Sequence, residues 1–134
     1  MPRLTVTGTN IDAPDANALA DFYRRLLGWT TRTEEPGWVV IQPGASDQAR
    51  GGTLSFQTES RYVRPVWPAG PGDQQMMMHL EIKVDDLEAS VAHAVAQARR
   101  WPDSSRKRTC GSASIPRDIP SACTCSSARR FAVT

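Results

Sequence analysis

Between Asp15 and Gly28 the apolar side chains Leu19, Phe22, Tyr23, Leu26 and Leu27 recur at the spacing of one helix face. A stripe of that kind has to be covered, because a single helix draws most of its stability from the surface it packs against. Asp12-Ala-Pro-Asp15 supplies turn chemistry and a carboxylate N-cap for the free N–H groups of the first turn. Gly28 stands where a left-handed C-terminal cap is wanted, and Arg24 and Arg25 are expected to point away from the stripe. The cover is legible on either side. Leu4-Thr-Val6-Thr alternates apolar and polar residues and reads as a strand continuing toward Ile11. Trp29–Thr33 and Trp38–Gln42 read as a hairpin around the turn Glu35-Pro-Gly37. After a loop from Pro43 to Gly52, Thr53–Gln57 alternates again, with Leu54 and Phe56 on one face and Ser55 and Gln57 on the other. The predicted order is β-α-β-β-β.

Pro65, Pro68, Gly70, Pro71 and Gly72 then make a long irregular stretch around Trp67, chain that crosses between units or covers a site. Beyond it, His79–Val84 reads as a strand with Leu80, Ile82 and Val84 on one face. Asp85 and Glu88 are spaced as a capping box, and Leu87, Val91, Val95 and Ala98 continue as a helix stripe. Strand and helix thus occur twice in the same order, a weak internal repeat carried by pattern.

Asp12 to Trp29, then Leu54-Ser-Phe-Gln57, Tyr62-Val-Arg-Pro-Val-Trp-Pro68 and Gln75 to Leu87, resemble the vicinal oxygen chelate superfamily, and its glyoxalase-like branch in particular. That superfamily includes glyoxalase I, bleomycin-resistance proteins and extradiol dioxygenases. The resemblance covers roughly the first 97 residues. It implies an α+β fold of paired βαβββ modules, each curling a sheet around a small-molecule cavity. The first module spans about residues 3–58, a linker 59–77, and the start of the second module 78–97.

The chain changes character after Gln97. Residues 1–97 carry 8 basic and 12 acidic side chains, and the remainder carries 8 basic and 2 acidic, so a formal net charge of +2 averages −4 and +6. Cys110, Cys123 and Cys125 all lie in this second portion. The family pattern requires three more strands here, and the sequence shows no sustained alternation, so the second module reads as incomplete. Back-translation of Ala98–Cys125 with GC-rich codons, read from the third base, yields a strand, an Asp-Pro-Ala-Gly-His-Pro-Phe turn and a further strand. That string resembles the missing end of the family. Residues 98–134 therefore read as an aberrant tail, out of frame, with a basic, Ser-rich disordered tail as the other reading. Such a tail lacks the interleaved aromatics of a specific nucleic-acid binder. Three cysteines are too sparse for a zinc site.

No apolar run approaches the ~20 residues that span a bilayer, and the opening residues lack a signal-peptide core, which makes the cytoplasm the expected location. The resemblance implies a homodimer and, in many members, a divalent metal held by His and Glu on facing strands. His79 is the only metal candidate carried over, and Gln57 stands where the usual Glu would be. One imidazole and an amide do not make a catalytic metal site, so no cofactor is expected. His79 is open to two readings, a ligand or a polar or structural histidine. His93 reads as surface. The expected chemistry is binding of a small molecule: Trp38, Phe56 and Trp67 lining an apolar cavity, with Gln57, His79 and Glu81 as polar contacts. Trp38 and Phe56 also read as plain core. The alternative is a metal-dependent lyase, isomerase or dioxygenase using His79. Sequencing the gene across the codon for Ala98 tests the reading of the tail: a displaced frame is the expected result, and an intact frame through Arg99 contradicts it.

Overall fold

The computed structural model describes residues 2–45, 52–66, 68–78, 80–100, 123–124 and 130–133. The chain divides into two units, Met1–Tyr62 and Val63–Thr134.

In the first unit, β1 (Gly8–Ala13), α1 (Ala16–Leu27), β2 (Thr30–Glu35), β3 (Trp38–Gln42) and β4 (Thr53–Thr58) follow in the predicted β-α-β-β-β order. The sheet order is β1-β4-β3-β2, with β1 parallel to β4 and the other pairs antiparallel. The parallel pair needs a crossover, and α1 lies within it, so helix and sheet are joined by topology as well as by packing. Asp15 caps α1 by accepting from the Ala18 N–H at 3.0 Å. Gly28 ends it at φ 66°, with the Trp29 N–H reaching back to the Arg24 carbonyl at 3.0 Å. Pro36 and Gly37, the latter at φ 74°, join β2 to β3, with Pro and a left-handed Gly at the central positions a type II turn favours.

The core is the contact between α1 and one sheet face. Leu19, Phe22 and Tyr23 meet Val39, Ile41, Leu54 and Phe56, all buried. Tyr23 stacks on Phe56 at 5.4 Å between ring centroids, and Phe22 meets Tyr23 edge-on at 5.3 Å. Burial, and secondarily Tyr62, raises the Tyr23 phenol well above its ordinary value.

Two details of the sequence reading change. The first strand is Gly8–Ala13, and Leu4 and Val6 are 88% and 89% exposed, because the ladder to β4 begins only where Gly8 pairs with Thr53. Glycine is required at that crossing: a Cβ on Gly8 would stand 2.7 Å from the Thr53 carbonyl oxygen. Arg25, expected to point away, keeps its side chain only 17% exposed and forms an ion pair with Asp21, which also holds Arg24 at 2.6 Å.

In the second unit, β5 (Leu80–Lys83) is followed by α2 (Leu87–Ala98), β6 (Cys123–Thr124) and β7 (Arg130–Val133). The sheet order is β5-β7-β6, with Leu80 opposite Val133 and Ile82 opposite Phe131. The cap of α2 is Asp86 and not Asp85: its carboxylate accepts from Ala89 N–H at 3.0 Å, which moves Glu88 off the reciprocal position of a capping box. Ala94 and Ala98 are the buried positions of α2. The Pro- and Gly-rich stretch holds an isolated bridge, Val66 to Gln75, and leaves Met77 and Met78 exposed. The sequence reading placed no strand beyond α2, and β6 and β7 are too short to register as alternation. Residues 101–122, most of the tail read as out of frame, lie outside the described residues. The fold is thus α+β, with a complete βαβββ module followed by a second unit in which the described residues hold a strand, a helix and two further short strands. No helix among the described residues is long and apolar enough to cross a membrane.

Two measurements check this packing. Replacing Gly8 by Ala is expected to cost about 1–3 kcal/mol in urea unfolding, the price of overpacking a close crossing; an unchanged midpoint contradicts the tight approach of β1 to β4. Above pH 10 the Tyr23 phenol ionises in the unfolded chain before it does in the folded one, so stability falls as pH rises beyond that value. The Tyr23→Phe variant is expected to lose part of this alkaline decline and to match the parent at neutral pH.

Candidate functional site

Strand alternation decides what the first unit can offer a ligand. Because Val39, Ile41, Leu54 and Phe56 turn to α1, their neighbours Trp38, Val40, Ser55 and Gln57 turn to the face that α1 leaves uncovered. The pairing register then builds rows across the four strands. Asp12 on β1 pairs with Gln57 on β4, Gln57 with Trp38 on β3, and Trp38 with Glu35 on β2. The next row is Asn10, Ser55, Val40 and Thr33. Thr33 keeps the register set by the hairpin turn, and the shift falls beyond this row, between Thr33 and Thr31.

Trp38 is half-buried, while Asn10, Asp12, Glu35 and Gln57 are exposed. Asn10 Nδ2 donates to Asp12 Oδ1 at 3.4 Å, a weak contact between residues two apart on one strand face. Ser55 Oγ donates to the Thr9 carbonyl at 3.3 Å, which ties β4 to β1 beside this row. The result is a floor with one aromatic plate, an adjacent amide and a carboxylate toward each sheet edge.

Among the residues expected to share a cavity, Trp38 and Gln57 are brought together as direct cross-strand partners. Phe56 is not with them: it is 0% exposed and lies on the opposite face, stacked on Tyr23. The physical reason is the period of two, since adjacent residues on a strand cannot serve one face. Trp67 and His79 lie outside the described residues. Glu81 is on β5, exposed, in the second unit. Asn10, Asp12, Ser55 and Glu35 were missed; only the alternation of Gly8, Asn10 and Asp12 hinted at a polar strand face.

The donor set on this face does not suit a divalent ion. Among the described residues no three His, Cys, Asp or Glu side chains group closely enough to hold one. Asp12 and Glu35 are three strand spacings apart, about 14 Å, and the groups between them are an amide and an indole. What the face can do is stack a planar or apolar surface on Trp38 and exchange hydrogen bonds with Gln57 and Asn10.

The separation of the two faces is measurable. Phe56→Ala is expected to destabilise the unit by about 3–5 kcal/mol, the usual cost of deleting a buried aromatic. Trp38→Ala is expected to cost about 1 kcal/mol, as for a side chain with one face already wet. Equal losses in denaturant unfolding contradict this placement.

The described geometry belongs to a chain whose residues 8–109 match the family described as Glyoxalase-like domain. A search of curated proteins finds no match.

Proposed function

Since the chain belongs to the glyoxalase-like domain family of the vicinal oxygen chelate superfamily, we propose that it binds a small organic molecule on the helix-free face of its first unit, without a chelated metal. The observation that carries this reading is the Trp38–Gln57 cross-strand pair on a face that α1 leaves uncovered. An indole beside an amide suits a ligand with an apolar or aromatic body and one or two hydrogen-bonding groups. The carboxylates of this face, Asp12 and Glu35, are exposed and stand at opposite ends of the row, and neither is given a proton-transfer role. Binding is therefore the function that the residues support, in the manner of a protein that sequesters its ligand. A homodimer, which the family relation supports, and a cytoplasmic location are parts of this reading.

A panel of small aromatic compounds, followed by the assigned indole resonance of Trp38, tests it. A bound compound is expected to shift that resonance, and Trp38→Leu to weaken its binding by tenfold or more, about the 1–3 kcal/mol that stacking contributes. Gln57→Leu is expected to weaken it several-fold, as for one lost hydrogen bond. Binding that survives Trp38→Leu unchanged contradicts the reading. Metal analysis separates it from metal-dependent lyase, isomerase or dioxygenase chemistry: a stoichiometric divalent ion lost in His79→Ala would decide for the latter.

A further inference from the structure

The row Asp12, Gln57, Trp38 and Glu35 has a sign as well as a shape. β1, β3 and β4 contain no Lys, Arg or His at any position. On β2 the one basic residue, Arg32, falls at the register shift, outside the paired positions. The carboxylates, in contrast, stand in the row itself. Glu35 is the direct cross-strand partner of Trp38, and the two close the hairpin around Pro36 and Gly37. Partners of this kind have Cβ atoms about 4.5–5.5 Å apart. Asp12 stands at the other end, opposite Gln57.

Both carboxylates are exposed, and neither forms an ion pair among the described residues. Asp12 accepts one long hydrogen bond, from Asn10 Nδ2 at 3.4 Å. Trp38, Val40 and Ser55 are half-buried and keep part of their surface in water. We infer that the ligand of this face is an organic cation, an ammonium or guanidinium group carried on a planar apolar body, with the charge at Glu35 and the body on Trp38. The inference rests on the binding function proposed above and adds the ligand's charge to it.

Two forces act at one place. The indole face attracts a cation through its quadrupole, and Glu35 beside it accepts a charge-assisted hydrogen bond. Each is modest at an exposed site, but both fall on the same group of the ligand. An anion meets Glu35 and Asp12 as like charges, with no basic side chain in the row to offset them. A neutral molecule keeps the stacking alone. Glu34, the next residue along β2, provides an internal contrast: it pairs with Val39 and accepts from Asn17 of α1, on the helix side of the sheet.

Titration of the full chain by NMR at neutral pH, with 2-naphthylmethylammonium, 2-naphthylmethanol and 2-naphthoate as probes, tests the inference. The three share one ring system and differ in charge. The ammonium compound is expected to shift the Trp38 indole and the Glu35 amide and to bind about tenfold more tightly than the alcohol, with the carboxylate weakest. Added salt is expected to shrink that advantage. Glu35→Gln is expected to remove most of it, and Glu34→Gln, the same charge change on the opposite face, to leave most of it. Equal binding of alcohol and ammonium at Trp38, insensitivity to Glu35→Gln, or equal losses in the two variants would overturn the charge preference and leave the binding function standing. Shifts away from Trp38, or none with any probe, would overturn both.

Discussion

The contact between the apolar stripe of α1 and one face of the β1-β4-β3-β2 sheet governs everything else in the first unit. Phe22 and Tyr23 on the helix and Ile41 and Phe56 on the sheet are the large side chains removed from water, each contributing roughly 1.5–3 kcal/mol. Strand side chains alternate, so committing Val39, Ile41, Leu54 and Phe56 to the helix commits Trp38, Val40, Ser55 and Gln57 to the other face. A slip of one residue in either strand would expose the core and bury the polar set. The chemistry available on the free face is therefore a by-product of the core.

Much of the first unit could be read without coordinates. The spacing of Leu19, Phe22, Tyr23, Leu26 and Leu27, closed by Asp15 and Gly28, is local information, and local signals specify helices well. The hairpin and β4 were legible for the same reason. The extent of the first strand was not: Leu4 and Val6 alternate as a strand should, but a strand exists only where a partner runs beside it, and pairing with β4 starts at Gly8. The cap of α2 was displaced by one residue because Asp85 and Asp86 are both competent and only the chain path chooses.

The site was less legible than the fold. Its polar rows depend on which residue of β1 lies opposite which residue of β4, a relation between segments more than forty positions apart that no local pattern contains. Asp12 and Asn10 were therefore invisible as partners of Gln57. Phe56 was open to two readings, cavity wall and plain core, and its parity with Leu54 assigns it to the core. The same register places carboxylates toward the two edges of the row, with Gln57 and Trp38 between them. That spacing sets the two carboxylates too far apart to hold one ion between them.

The most direct test is a set of side-chain NOEs in the assigned protein. Contacts of the Phe56 ring with Tyr23, together with contacts of the Trp38 indole with Gln57 and none with Leu19 or Tyr23, are the predicted result. A Trp38 indole that reports on α1, or a Phe56 ring in contact with Gln42 or Asn10, would contradict the division of faces on which the account rests.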